Sequence, residues 1–184
     1  MNVLCLCLLT FIASKTYGER AAWDFVANER PVFTLTTLCP PLICGPVVHS
    51  NGFLDSVNTS NKQVEDFVCG KFKDQISENH LFHWIDVRDC ALAHVRAIES
   101  ESVDGRRVLL GAGSFCNREI AAILRENFPQ LAAKLPREEI AGGEYPNGGV
   151  PKLDVAESMG KLSMSHRSLE TCIVDSVRSL LAGH

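Results

Sequence analysis

Apolar residues recur at helical spacing near the start of this 184-residue chain and predict its first long element. Between positions 14 and 28, the apolar residues at this spacing are Tyr17, Ala21, Ala22, Phe25 and Val26. A helix with 3.6 residues per turn places such positions on one side. We therefore predict an amphipathic helix from Ser14 to about Asn28.

A strand that leads directly into a helix is predicted over residues 82–98. Phe82–Ile85 is short and β-prone, and Asp86 carries the side chain of a helix N-cap. Asp89 adds an acid to the first turn, where the helix dipole favours negative charge. The predicted buried face of this helix consists of Val87, Ala91, His94, Val95 and Ile98.

Strand and helix signals continue to the C-terminus. We predict a strand over residues 106–110 and helices over residues 117–128 and 154–161. Ser168 is a predicted N-cap, and it opens the last helix. Alternating strands and helices are typical of an α/β fold.

Residues 13–23 and 85–94 both resemble segments of the extended short-chain dehydrogenase/reductases, in the branch of dihydroflavonol-, methylglyoxal- and cinnamoyl-reductase-like enzymes. That family carries Tyr-x-x-x-Lys in a context like Tyr-x-Ala-Ser-Lys-x-x-x-Glu-x-Ala-Ala-Trp, and later Val-Asp-Val-Arg-Asp-x-Ala-x-Ala-His. The resemblance implies an α/β fold made of the C-terminal half of a Rossmann-type nucleotide-binding sheet and the small substrate-binding lobe. It covers residues 13–184 and leaves residues 1–12 as an apolar segment outside the family.

The resemblance also implies a catalytic role for Lys15 within an incomplete catalytic group. In the family, the tyrosine donates and accepts the proton, while the lysine holds the nicotinamide ribose and lowers the pKa of the tyrosine. Here Phe11 occupies the tyrosine position, four residues before Lys15 and one turn away on the same helix face. Because a phenyl ring has no proton to give, we expect the catalytic acid to be missing.

A cofactor-binding strip is predicted where a strand meets two prolines. Val32–Leu38 alternates as a strand does, and the prolines that follow cannot continue its hydrogen bonding. Ligands of open α/β sheets bind at such carboxyl ends. A rigid strand exit without a ligand is the alternative. The resemblance implies a nicotinamide pocket lined by Pro40, Pro41, Leu42 and Ile43.

The cofactor that the resemblance implies is NADP or NAD. Thr59 and Ser60 resemble a short polar run close to the cofactor phosphates in the family. No G-x-x-G-x-x-G or G-x-G-x-x-G sequence, the usual pyrophosphate site, follows a predicted strand in the 184 residues. We therefore expect a truncated relative that binds the cofactor weakly by itself.

The net charge and the cysteines limit which binding partners and which cellular compartment we predict. A net charge of -4 without basic clusters gives no support for nucleic acid or an anionic membrane as a partner. The 8 cysteines form no C-x-x-C pair, and several lie inside apolar runs. This favours buried thiols in the cytoplasm over disulfides or a zinc site.

Three further features have competing interpretations. His83 and His94 lack a third ligand at workable spacing, so both are predicted to be structural and no metal site is predicted. Arg88 is expected to anchor a loop rather than to bind substrate. Met1–Ile12 is apolar and too short to span a bilayer. We expect it to pack on the core, with a secretion signal as the alternative.

By resemblance, the function is NAD(P)-dependent reduction of a small-molecule carbonyl or oxidation of a secondary alcohol. The isolated chain is expected to be inactive. The alternative from another class is a non-catalytic fragment or paralogue that pairs with a full-length relative. A secreted small protein that has reused the fold is a third hypothesis.

Overall fold

The computed structural model describes residues 3–47 and 60–182, with backbone alone for residues 3–8. Apart from two 3-10 helices (Glu101–Val103 and Pro129–Leu131), the regular elements of this part of the chain are six α-helices and five strands. In chain order they are α1 (Val3–Glu29), β1 (Thr37–Cys39), β2 (Leu42–Cys44), α2 (Lys62–Val68), β3 (His83–Asp86), α3 (Val87–Glu99), β4 (Arg107–Leu109), β5 (Gly113–Ser114), α4 (Asn117–Asn127), α5 (Ala156–Lys161) and α6 (Leu169–Ala182). The predicted α/β class is confirmed, and the strands and helices expected after residue 80 have ends within two residues of those predicted.

The described strands form two small sheets that are joined through two prolines. β1 pairs in parallel with β4, whereas β2 pairs in parallel with β3, and β3 pairs antiparallel with β5. Pro40 and Pro41 separate β1 from β2 and lack the N–H groups that a continuous ladder needs, so the chain passes from one sheet to the other there. The strand predicted over Val32–Leu38 is therefore shorter than expected, and the strand that resumes at Leu42 was not predicted.

Two hydrophobic clusters support these sheets. The larger one packs α2, α4 and α6 together beside the second sheet, and its fully buried members include Phe67, Leu124 and Val177. The smaller one lies between α3 and the strands, around Ile85 and Leu110. The capping role predicted for Ser168 is confirmed, since its Oγ accepts a hydrogen bond of 3.1 Å from the backbone N–H of Thr171.

Helix α3 begins as predicted but packs through a different face. Asp86 caps it by accepting a hydrogen bond of 2.8 Å from the backbone N–H of Arg88. The buried residues are Asp89, Cys90 and Ala93. Of the five residues predicted to be buried, Val87 is half-buried, and Ala91, His94, Val95 and Ile98 are exposed. The prediction failed because apolar residues surround most of this helix, so periodicity alone could not select the face that packs.

Helix α1 is longer than predicted and lies on the surface. It begins at Val3 rather than near Ser14, and its half-buried apolar residues are Ala22, Trp23 and Val26. The predicted apolar face is only partly used, since Tyr17, Ala21 and Phe25 are exposed.

The expectation that Met1–Ile12 packs on the core is wrong where side chains are described. Leu9, Phe11 and Ile12 are all exposed. Among the described helices, α1 included, none is both long and apolar enough to cross a membrane.

Candidate active site

Glu19 attaches α1 to both strands of the first sheet. Its Oε1 accepts hydrogen bonds from Thr37 Oγ1 at 2.8 Å and from Arg107 Nε at 3.0 Å. Trp23 Nε1 lies 3.5 Å from the same oxygen. The hydrogen bond from Thr37, with smaller contributions from Trp23 and Arg107, lowers the pKa of Glu19 against the opposing effect of burial. A charged Glu19 therefore fixes one turn of α1 against β1 and β4.

Lys15 lies one turn before Glu19, about 6 Å along the helix axis. Its Nζ is 5.1 Å from the centroid of the Phe11 ring, close enough for a cation–π contact. The spacing of these residues thus places both side chains together, as predicted. Both are exposed. The pair offers a positive charge and an aromatic face but no hydroxyl, so it has no proton donor of the phenol type.

The predicted strip at the end of β1 is divided between solvent and core. Pro40 is exposed at the carboxyl end of β1, and Pro41 is half-buried. Leu42 packs against the larger hydrophobic cluster, whereas Ile43 packs against the smaller one. The thiol of Cys39, the last residue of β1, lies 4.0 Å from Glu19 Oε1, so the carboxyl end of β1 and the Glu19 turn of α1 are adjacent.

Of the two residues predicted near the cofactor phosphates, one lies within the described part of the chain. Thr59 lies outside the described residues. Ser60 is half-buried in the turn that precedes α2. The structure therefore brings Lys15 and Phe11 together, and the cofactor roles of Pro40–Ile43, Thr59 and Ser60 stay predictions.

Arg88 is an anchor between elements, as the sequence suggested, but its partners are more extensive than a loop. Its guanidinium donates to Asp86 Oδ2 at 2.8 Å and to Asp175 Oδ2 at 2.7 Å, joining the end of β3 to α6. Burial alone would raise the pKa of Asp86, but the hydrogen bonds from Arg88 outweigh it and lower that pKa. Sequence patterns gave no signal for Asp175, because the pairing spans 87 residues.

The histidines and thiols make local or buried interactions. His83 Nδ1 lies 3.2 Å from Ser114 Oγ, and His94 Nδ1 lies 2.8 Å from the carbonyl oxygen of Cys90. Burial, with the nearby negative charge of Asp86, raises the pKa of the Cys44 thiol to about 12. No group of three or more His, Cys, Asp and Glu side chains in the described ranges could hold a metal ion.

Comparison with known proteins places this geometry in context. No family model matches the chain. The ketoreductase azaE of Aspergillus niger is 40% identical over 174 residues, which are 94% of this chain and 51% of that protein. The NADPH-dependent methylglyoxal reductase GRE2 of Saccharomyces cerevisiae is 30% identical, over 93% of this chain and 50% of that protein.

A solved reductase structure also matches nearly all of this chain and about half of its own length. The yeast methylglyoxal/isovaleraldehyde reductase Gre2, solved in complex with NADPH, superposes with a TM-score of 0.80 and 29% identity, over 92% of this chain and 50% of that one. This chain thus spans about half the length of the curated relatives that it matches.

Proposed function

Since this chain is homologous to the C-terminal portion of NADPH-dependent reductases of the short-chain dehydrogenase/reductase family, we propose that it is the substrate-side part of an NADPH-dependent carbonyl reductase. The observation that carries the proposal is the position of Lys15, on a helix that Glu19 fixes beside the carboxyl end of β1. NADPH is favoured over NADH because the yeast relative GRE2 is NADPH-dependent and its solved structure is a complex with NADPH.

The residues of this chain supply two features that such a reaction needs, a hydrogen-bond donor for the ribose and an apolar surface beside the nicotinamide. When bound, the nicotinamide cofactor supplies the hydride. Lys15 offers an exposed ammonium group that can donate to a ribose hydroxyl, and Pro40 offers an exposed apolar surface at the strand end. The chain lacks a general acid beside Lys15, because the neighbouring residue is Phe11, which has no hydroxyl to donate a proton.

Proton donation contributes about 10²–10⁴-fold to a rate, so its loss alone would leave a slow reductase. The larger deficit is in cofactor binding. Neither G-x-x-G-x-x-G nor G-x-G-x-x-G occurs after a strand in the 184 residues, and such a sequence provides the backbone N–H groups that bind the pyrophosphate. Reduction by this chain alone should therefore lie at the background rate.

A calorimetric titration of the purified chain with NADPH tests the proposal at the binding step. We expect no saturable binding in the micromolar range, with yeast Gre2 as the positive control. A low-micromolar dissociation constant that is weakened by Lys15→Ala would show a complete cofactor site and would contradict the proposal of a part-site.

The thiols support a reducing compartment. The six described cysteines are all free, and four of them are buried: Cys44, Cys90, Cys116 and Cys172. We therefore place the chain in the cytoplasm with Met1–Ile12 retained. Intact-mass measurement of the protein from its native host tests this placement, and a mature N-terminus near Glu19 would instead show a cleaved secretion signal.

A further inference from the structure

A small polar pocket lies between the beginning of β4 and helix α5. Its volume is about 210 Å³, below the range of about 300–1,000 Å³ that is usual for drug-sized ligands. The residues that line it are Arg106, Arg107 and Val108 on the strand side and Glu157, Ser158 and Lys161 on the helix side. Three cationic side chains therefore surround a space that suits one small group, in a chain whose net charge is -4.

These three cations have more hydrogen-bond donors than the described residues use. The Arg106 side chain forms no hydrogen bond or ion pair within the described ranges. Arg107 bonds Glu19 at 3.0 Å through its Nε, so its two terminal nitrogens are not used in that contact. Lys161 donates to one carboxylate oxygen of Glu157. Because a guanidinium has five N–H donors and an ammonium has three, most of the donors around the pocket remain available to an anion.

Glu157 indicates that the pocket stabilises negative charge. The hydrogen bond from Lys161 lowers the pKa of this carboxyl, and the charges of Lys161 and Arg106 add to the effect. The Glu157 side chain is nevertheless 81% exposed, and its ion pair with Lys161 is a contact between residues four apart on one helix. Exposed pairs of this kind contribute little to stability. An anion that contacts all three cations can therefore displace the Glu157 carboxylate.

We propose that this pocket binds a phosphate group, held by Arg106, Arg107 and Lys161, as inorganic phosphate or as the phosphate monoester of a small molecule. A phosphate monoester carries a charge of about -1.5 to -2 at pH 7 and has three acceptor oxygens. Two guanidinium groups and one ammonium group match it, since arginine binds phosphate oxygens in pairs and lysine acts as a point charge. A ligand with a single carboxylate would offer no more than Glu157 already does.

Arg107 connects this pocket to helix α1. Its guanidinium contacts Glu19 through Nε and lines the pocket as well, so one side chain joins the two sites. The Arg107 side chain is 58% exposed, and a bound phosphate would restrict its motion while it holds Glu19. A ligand that binds the closed form of a contact makes its opening rarer. We therefore expect phosphate to slow the opening of α1, the helix that carries Lys15.

The test is a titration of the full chain with inorganic phosphate and with glycerol 3-phosphate, at constant ionic strength in chloride. In amide NMR spectra, residues 106–108 and 157–161 should shift and reach a plateau, and exchange of the α1 amides should slow as the pocket fills. Tighter binding of glycerol 3-phosphate would assign the pocket to a phosphorylated small molecule. Equal or tighter binding of inorganic phosphate would assign it to the free ion.

Arg106→Gln should weaken phosphate binding about tenfold, because it removes charge-assisted donors from the pocket. Arg96→Gln is the matched control, since the Arg96 side chain is 49% exposed and lies outside the pocket, and it should leave the affinity unchanged. Glu157→Gln should tighten binding, because it removes the competing carboxylate. Shifts that reach no plateau, equal weakening by Arg96→Gln and Arg106→Gln, or weaker binding by Glu157→Gln would overturn the proposal.

Discussion

Glu19→Gln should loosen α1 from the sheet while leaving the rest of the fold intact. Glu19 provides the polar contact between this surface helix and both strands, through Thr37 and Arg107. The apolar contribution to docking comes from the half-buried Ala22, Trp23 and Val26, and Glu19→Gln leaves it unchanged. The loss should therefore be local to α1.

The magnitude follows from the partners of Glu19. Hydrogen bonds to a charged group contribute about 1.5–3 kcal/mol. The ion pair adds at most about 1 kcal/mol, because the Arg107 side chain is 58% exposed. Glutamine keeps a carbonyl oxygen for Thr37, so we expect Glu19→Gln to cost about 1 kcal/mol and Glu19→Ala about 2 kcal/mol. Each 1.4 kcal/mol is a factor of about ten in the opening equilibrium.

Hydrogen exchange of the backbone amides of residues 19–29 measures this opening directly. Protection there should fall about fivefold in Glu19→Gln and about thirtyfold in Glu19→Ala, with α4 unchanged. Asp24→Asn is the matched control, since it removes one exposed carboxylate from the same helix. Equal losses in Asp24→Asn and Glu19→Gln would refute the reasoning, because they would show a general effect of charge rather than a specific anchor.

The same contact predicts a pH dependence with a defined sign. The pKa of Glu19 is lowered in the folded protein, so its stabilisation is fully present above the ordinary value of about 4.3. As the pH falls through the lowered pKa, the carboxylate is protonated and the stabilisation is lost. The protection factors of the α1 amides, which are corrected for the intrinsic pH dependence of exchange, should therefore fall over that acid range in the native chain. In Glu19→Gln, this fall should be absent.

Two further predictions concern packing and thiol chemistry. Gly143 and Gly149 have nearly equal positive φ angles, 74° and 76°, but a side chain at Gly143 would meet Ile76 whereas one at Gly149 meets open space. Gly143→Ala should therefore lower the free energy of unfolding by about 1–3 kcal/mol more than Gly149→Ala in denaturant titrations, and equal losses would contradict this packing. Iodoacetamide at pH 8 should label the exposed Cys69 and spare Cys44, as peptide mass spectrometry would show, because burial raises the pKa of Cys44 to about 12; rapid labelling of Cys44 in the folded chain would be the contrary result.

Local signals predicted elements well and contacts poorly. Asp86 and Ser168 were identified as N-caps because a cap depends on residues two or three positions away. The buried face of α3 was predicted wrongly, since the choice between two apolar faces depends on which layers surround the helix. Strand β2 was missed because two prolines precede it, and they mark a change of sheet rather than the end of the strand region.

In the candidate site, too, sequence predicted the local contact but not the long-range contacts. The adjacency of Lys15 and Phe11 follows from a spacing of four on one helix, so sequence alone could predict it. The anchoring of that helix could not be predicted, since Glu19 reaches Arg107 across 88 residues. Long-range pairs of this kind, including Arg88 with Asp175, leave no periodic signal in a single sequence.

The most direct test of the central claim is NADPH oxidation by four proteins, assayed against a panel of aldehydes and ketones. They are the chain, its Phe11→Tyr variant, a fusion of the N-terminal half of the A. niger ketoreductase to the chain, and that fusion with Phe11→Tyr. Positioning both reactants is worth on the order of 7–11 kcal/mol, and an added general acid about 10²–10⁴-fold, so we expect turnover only when both changes are present. Equal turnover by the fusion with and without Phe11→Tyr, or turnover by the unmodified chain, would contradict the account. Either result would direct attention to Tyr17, the other phenol of α1.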